Sequence, residues 1–416
     1  MEATCPQYLI KYTATHLQSF KDNIRTMVTY VLAFMSALGL AYFGGGALYQ
    51  FILSLAGIFY KNPEQRAAQR LRRTAIFIPA YREDAVILSS VKAALEQDYP
   101  EHLYQVVVIA DQLTRPTLSK LRQLPIQIVE VAFEKSTKAK ALNQALKVMK
   151  EWNFEVAVIL DADNVMQKDF LNRINDRFEA GARAIQGRRA AKNFDSPMAT
   201  LDAASEDVNM HILCRGSRTL GLSARLAGSG MAFDYRMFEA VMPQIKAIGG
   251  FDKELELRLT EAGIRLEYDH EAIVFDEKTQ QTQAFTKQRS RWLAAQYTYA
   301  KRFVPAAIVA LITRGNLDFF NKAIQMTLPP RLLLPAVLMI GALGNALLSI
   351  ELAAAWSVFF VLNVASFLIA MPSYCFRKEN FSALLHLPSA LAATFKALTQ
   401  LRLARQRFIH TPHQAI

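Results

Sequence analysis

Between Thr26 and Tyr60 the chain carries no charged residue. The hydrocarbon core of a bilayer needs only about 20 such residues as a helix, so at least one membrane span is expected here. Lys21 and Arg25 precede the run. It is longer than the apolar core of a secretory leader and lacks a convincing cleavage site, so it reads as retained. Gly44, Gly45 and Gly46 lie inside it as potential hinges. Two arrangements are open, one long tilted helix or a hairpin of two short ones, and the single span is preferred because each half is short.

A second apolar region follows Arg331, with Leu332 to Ile350 and Leu352 to Met371 broken by Glu351. It reads as two spans joined by a very short turn. Basic residues flank the apolar segments, from Arg66 to Arg73 on one side and at Arg377, Lys378, Arg402, Arg405 and Arg407 on the other. The positive-inside rule then puts both flanks in the cytoplasm, which one span before and two after would satisfy. The expectation is a multi-pass protein of a cytoplasmic (inner) membrane, bathed in membrane lipids. Residues 284–330 and 382–407 mix apolar and basic side chains, with Pro329 and Pro330 between them. They read either as helices along the membrane interface or as amphipathic helices packed on the intervening domain.

The hydrophobic fraction of 52% is high for a chain with 20% charged residues, and the apolar excess is segregated into these segments. A net charge of +12 suits a phosphate-bearing substrate, anionic lipid or nucleic acid. Nucleic acid is disfavoured because the basic clusters flank apolar segments instead of interleaving with aromatic residues. A transporter is disfavoured because Glu351, at a turn, is the single ionisable residue among the expected spans. Cys5, Cys214 and Cys375 are far apart and show neither a disulfide framework nor zinc-ligand spacing, as fits a reducing compartment.

Between the apolar regions, Thr74 to Ile78, Val106 to Ala110, Ile126 to Val131 and Val156 to Leu160 are short β-branched runs separated by helical or turn-like sequence. This rhythm predicts an α/β domain with a largely parallel sheet. Ligands of such sheets bind beyond the carboxyl ends of strands, where Tyr81 and Glu83, Asp111, and Asp161 with Asp163 stand. Two carboxylates as close as those of VILDADN repel unless a cation lies between them, and hard oxygen ligands suit Mg2+ or Mn2+ bridging a diphosphate. A strand ending in turn-forming Asp and Asn is the bland alternative. Asp111 is placed to hydrogen-bond a nucleotide base or ribose, unless it is merely a turn residue. Lys138 stands where a helix begins, so its ammonium and the helix N-terminus both suit phosphate. The bland reading is a solvated surface lysine.

Gly228-Ser229-Gly230 permits close backbone approach. Asp252, near the start of a helix with Leu255, Leu257, Leu259 and Ala262, reads either as an N-cap or as a general base for an acceptor hydroxyl. Gln288, Arg291 and Trp292 share one face of a helix, where they suit a diphosphate and a flat sugar ring or else a membrane interface.

Taken in order, Asp111, Asp161-Ala162-Asp163, Asp252 and Gln288 to Trp292 resemble the D, DxD, D, QxxRW signature of family 2 glycosyltransferases, the group that includes cellulose, chitin and hyaluronan synthase-like enzymes. The match spans roughly residues 74–292. PAYRED at 79–84 is similar to the family's PxYNE strand exit, TKAKALN at 137–143 to its GKxxALN, and FIHTPH at 408–413 to a terminal FxxTxx gate. Arg82, Thr137 and Phe251 depart from the usual asparagine, glycine and glutamate.

The resemblance implies a GT-A fold and an inverting transfer from a nucleoside diphosphate sugar, UDP-linked by association. It implies Asp252 as base and a donor site of Pro79, Tyr81, Glu83, Asp111, Lys138, Asp161 and Arg291. The metal would lie on Asp161 and Asp163, and the acceptor against Gly228, Ser229, Gly230, Gln288 and Trp292. The acceptor would be a growing polysaccharide or, alternatively, a lipid-linked sugar. Three spans make a narrow channel, so translocation would call for a homo-oligomer or partner subunit. A non-catalytic membrane scaffold is the alternative of another class, and the intact carboxylates argue against it. The expected domains are an N-terminal transmembrane segment (1–60), a cytoplasmic GT-A domain (61–283), the QxxRW and interfacial helices (284–330), a transmembrane hairpin (331–373) and a basic amphipathic segment (374–416).

Overall fold

The computed structural model describes residues 5–64, 68–247, 249–278, 282–378, 380, 383 and 385–399. Arg66, Arg402, Arg405, Arg407 and the FIHTPH segment lie outside the described residues. The chain divides into two compact units, Met1–Phe51 with Arg331–Ser366, and Ile52–Pro330 with Phe367–Ile416.

The first apolar run is one continuous helix, Cys5–Ile58, so the single-helix arrangement holds and the glycines do not hinge it. Gly44 serves close packing instead, since a Cβ there would fall 2.9 Å from the ring of Phe359. Ala47, Leu334, Leu338 and Trp356 form the small core of this first unit, and the Trp356 indole donates to Ser36 Oγ at 3.0 Å. After Arg331 the helices are Leu334–Asn345 and Ile350–Ala370. The former, with 12 residues, is about 18 Å long and too short to cross a hydrocarbon core. Two helices are thus long and apolar enough to cross a membrane among the described residues, Ser19–Ile58 and Ile350–Ala370, where three spans are expected from the sequence. The sequence hides the break because Ala346 to Leu348, although apolar, form a turn.

The second unit is built on eight strands: β1 (Thr74–Tyr81), β2 (Tyr104–Asp111), β3 (Gln127–Val131), β4 (Val156–Ile159), β5 (Val165–Met166), β6 (Ala184–Ala191), β7 (Met231–Asp234) and β8 (Glu267–Asp276). Their order is β3-β2-β1-β4-β7-β6-β8-β5. The first four are parallel, β7 runs antiparallel to both its neighbours, β6 and β8 are parallel, and β5 is antiparallel. Side chains alternate across the sheet. Ala75, Phe77, Val107 and Ile109 face one core, shared with helices Lys138–Val148 and Phe251–Glu261. Ile76, Ile78, Val106 and Val108 face the other, shared with helices Ile87–Leu95 and Phe170–Glu179.

Helix Thr282–Arg314 buries Tyr299, Phe303, Ala307 and Ala310 in the first of these cores, beside Phe319 of helix Leu317–Gln325. Of the two readings open for residues 284–330, packing on the α/β domain therefore describes this face.

Candidate active site

The strand exits converge as the parallel half of the sheet requires. Tyr81 of β1 lies in register with Asp111 of β2. Pro79 is tolerated in a central strand because Phe77 O, two residues earlier and pointing the same way, already bonds Leu160 N at 3.0 Å where β4 has ended. Glu83 is buried, and its carbonyl accepts from Val86 and Ile87 to start the following helix.

Asp111 is 2% exposed and its Oδ1 has no hydrogen-bond partner. Burial raises its pKa above the ordinary carboxylate value, with the Arg82 charge opposing. Arg82 and Gln112 follow the two strand exits, both with left-handed backbones (φ 58° and 57°). The Arg82 guanidinium grips Gln112 Oε1 at 2.8 and 2.6 Å and lies over the Tyr81 ring, 5.1 Å from its centre. Sequence reasoning assigned no role to this pair; the signal present was Arg82 standing where the resembled family has asparagine.

Beyond β4, Asp161 and Asp163 lie on a tight turn closed by Asn164 N to Asp161 O at 3.2 Å. The Ser229 hydroxyl accepts from Asp161 N at 2.9 Å and donates to Asn164 Oδ1. Ser229 is fully buried, so its side chain positions the turn and does not reach out to an acceptor. Gly228 and Gly230 flank it at φ +87° and +63°, conformations that favour glycine. Buried Gln186 donates to Ser229 O at 2.9 Å and accepts from Ala227 N at 2.7 Å, locking the loop from behind.

Lys138 opens helix Lys138–Val148, whose N-cap is Thr137, the hydroxyl of which accepts from Lys140 N at 3.2 Å. Its ammonium pairs with Asp161 and donates to Gly228 O at 2.8 Å. Asp252 comes to the same place: a Cβ built on Gly228 would lie 3.9 Å from its carboxylate. Asp252 is not the cap of its helix, since Gly250 takes that position at φ +63° and Asp252 lies in the first turn. Gly250 is also required for packing, because a Cβ there would fall 2.9 Å from Ala295 Cβ. Lys138, Asp161, Gly228 and Asp252 thus form one cluster.

Gln288, Arg291 and Trp292 share helix Thr282–Arg314, whose next turn carries that Ala295. Burial lowers the Arg291 pKa. Arg289, which the motif passes over, lies 4.8 Å from the Trp292 ring centre and donates to Ser205 Oγ at 3.0 Å. It fastens this helix to helix Pro197–Met210.

Partly buried Arg189 of β6 is a second residue that sequence reasoning missed. It pairs with Asp276 and donates to Ala227 O at 2.7 Å. Burial works against its charge, but Asp276, Glu206, Asp161 and Asp163 together hold its pKa above the ordinary guanidinium value.

The described residues contain no group of three or more His, Cys, Asp or Glu able to hold a metal. Asp163 accepts from Asn164 Nδ2 at 3.2 Å and from Glu277 N at 3.4 Å. An all-oxygen pair of carboxylates fits Mg2+ or Mn2+ of the kind whose remaining ligands are phosphate and water, and does not fit a closed protein cage.

Several known proteins are similar. The chain is 24% identical over 247 residues to the probable glycosyltransferase YdaM of Bacillus subtilis (strain 168), covering 56% of this chain and 57% of that protein. It therefore spans little more than half the length of this relative. The structure superposes on the mannosyltransferase PcManGT from Pyrobaculum calidifontis, solved with GDP-Man and Mn2+, at a TM-score of 0.51 and 19% identity, covering 87% of this chain and 97% of that one. That likeness extends to the fold. S. aureus TarS 1-349, solved with UDP, gives a TM-score of 0.38 at 14% identity, covering 80% and 90% of the two chains, and carries no argument. Residues 72–295 match the family described as glycosyltransferase like family 2, more than half of the chain, and the protein belongs to that family.

Proposed function

We propose that the protein is an inverting, metal-dependent glycosyltransferase that moves a sugar from a nucleoside diphosphate donor, UDP-linked in the first instance, to a hydroxyl of a growing polysaccharide at the membrane. The observation that carries this reading is the meeting of Asp252, Gly228, Lys138 and Asp161 at one point. Asp252 takes the proton from the attacking hydroxyl, which is a weak nucleophile until relieved of it. Lys138 and Arg291 offset the charge of the departing diphosphate. Asp111 receives a donor N–H or hydroxyl on its unpartnered oxygen, within a slot of Pro79, Tyr81 and Glu83. Gly228, Gly230, Gln288 and Trp292 border the acceptor. Bound by Asp161 and Asp163, Mg2+ or Mn2+ would supply further neutralisation of the leaving group.

The membrane reading is supported by the exposure of both long apolar helices: Phe34 is 64% and Ile350 72% exposed, as suits lipid and not water. Addition of a single sugar to a lipid-linked acceptor is the second reading, favoured by the two long apolar helices found among the described residues, where three spans were expected.

The test is release of nucleoside diphosphate by the full chain in nanodiscs, over a panel of nucleotide sugars with Mg2+, Mn2+ or EDTA, followed by sizing of the product. Turnover with one donor, lost with EDTA, is expected. A long product identifies polymer extension, and a short lipid-borne one identifies single addition. Asp163→Asn should lower metal-dependent nucleotide affinity at least about tenfold, the equivalent of 1.4 kcal/mol. Turnover that EDTA leaves unchanged would overturn the metal assignment, and no turnover with any donor and acceptor would overturn the enzymatic one.

A further inference from the structure

Strands β6 and β8 slip register between Gly187 and Arg188, so that His270, Glu271 and Ala272 bulge out of the ladder. The bulge is built deliberately. Asp269 accepts from the Glu271 and Ala272 N–H groups at 2.9 and 3.2 Å, pairs with Arg177 at 2.7 Å, and accepts from Asn62 Nδ2 at 3.1 Å. Asn62 in turn accepts from His270 N at 3.0 Å. Bulges re-aim side chains, and this one aims the His270 imidazole at two guanidinium groups. Arg215 contacts its Nε2, and Arg188 Nη1 lies 3.5 Å from the same atom. A ring nitrogen facing two cations acts as acceptor, which leaves Nδ1–H to donate to Tyr268 Oη at 3.0 Å. Burial, reinforced by Arg215 and Arg188, lowers the His270 pKa to about 3, so the ring is neutral at physiological pH.

Two like charges are thus gathered on a neutral group. Asp269 acts on the ring from the same bulge, already engaged by Arg177, and Asp207 lies 3.5 Å from Arg188 while also accepting from Tyr374 Oη at 3.0 Å. Among the described residues Arg215 has no carboxylate within ion-pair distance, and the buried Nε of Arg188 has no hydrogen-bond partner. Arg188, Arg215 and His270 are each only partly buried, so a ligand can approach the two guanidinium groups from the accessible side. Arg215 belongs to a wide-turned helical segment, His211–Gly216, against which the end of the N-terminal apolar helix packs: His211 meets Ser54 O at 2.9 Å, and Gly216 abuts Leu53 O.

We propose that Arg215, Arg188 and His270 form a phosphate-binding site apart from the sugar-transfer site. Guanidinium forks match phosphate oxygens with paired N–H groups, and the neutral imidazole holds the forks together without satisfying their charge. The phosphate belongs either to an anionic lipid headgroup or to a free phosphate. The site stands on the cluster itself, and the lipid source alone rests on the membrane reading, through residues Leu53 and Ser54 that continue the apolar run.

The experiment is a binding titration of the full chain in neutral detergent with dihexanoyl-phosphatidylglycerol, with dihexanoyl-phosphatidylcholine as control, and with inorganic phosphate. Saturable binding of the anionic lipid, but not of the zwitterionic one, is expected. Arg215→Gln should weaken it about tenfold, the loss of one charge-assisted bond. Arg218→Gln, which removes a guanidinium already paired with Glu267 at 2.8 Å, should not weaken it. Inorganic phosphate binding as tightly as the lipid would assign the site to free phosphate; much weaker binding would assign it to the headgroup. Failure of both ligands to saturate the wild-type chain, or unchanged binding in Arg215→Gln, would overturn the proposal. Should that variant not fold, Arg215→Lys keeps the charge without the fork and should still weaken binding measurably. Nucleoside diphosphate release in each variant, measured in parallel, separates this site from the transfer reaction.

Discussion

Asp252 and Asp111 are both aspartates at the edge of an element, yet the structure asks different things of them. Asp252 lies in the first turn of its helix, beside Gly228. Asp252→Asn should lower the turnover number by about 10²- to 10⁴-fold, the usual range for removing a general base, while nucleotide affinity stays as in the wild type. Turnover assays alongside nucleotide titration check this, and near-normal turnover would remove the proposed base. Asp111 is a buried carboxyl with a raised pKa. As pH rises above the ordinary aspartate value, the unfolded chain loses this proton before the folded one does. Its contribution to stability is therefore complete at acid pH and falls as pH rises through the raised folded value. Asp111→Asn should raise stability at neutral pH by about 1 kcal/mol and weaken nucleotide binding. Melting curves across pH would show it, and a lower neutral-pH midpoint would contradict it. The order of these aspartates in the chain was legible in the sequence; that Asp111 Oδ1 is unpartnered and that Asp252 sits in a first turn instead of capping was not.

Helix Phe251–Glu261 shows how an element can mislead. Leu255, Leu257 and Leu259 are two apart, a spacing that on a helix points to opposite sides, and all three are fully buried. Glu254 and Glu256, interleaved with these leucines, are buried too, paired with Arg302 at 2.7 Å and with Lys322 at 3.6 Å. A helix buried all round cannot be read as amphipathic, and its charges depend on partners far along the chain. Lys322 is 0% exposed, so Lys322→Met should destabilise the protein by about 3–5 kcal/mol by stranding Glu256, and adding Glu256→Gln should recover part of the loss. Thermal unfolding of the single and double variants distinguishes this from a simple packing change, for which the second substitution would make matters worse. The strands of the parallel half were far more legible, because unbroken β-branched runs such as VVVIAD have few alternatives. The short strands β5 and β7 were not, since their pairing is set by partners more than 40 residues away.

At the scale of the molecule, the exposed apolar helices and the +12 charge act together. The full chain should stay with membranes through an alkaline carbonate wash and be released by detergent. Recovery in the soluble fraction without detergent would overturn the membrane reading. The sequence by itself determined the α/β class, the family signature and the two apolar regions, because these depend on local periodicity, strand-end chemistry and uninterrupted hydrophobicity. Only the tertiary structure decided that Asp252 comes beside Gly228, whose carbonyl Lys138 holds, that Arg189 pairs with Asp276 and holds Ala227 O, and that Ser229 is a strut. Those facts depend on loops crossing between β4, β6 and β7. No local pattern encodes such crossings, because each contact joins residues whose neighbours in sequence point elsewhere.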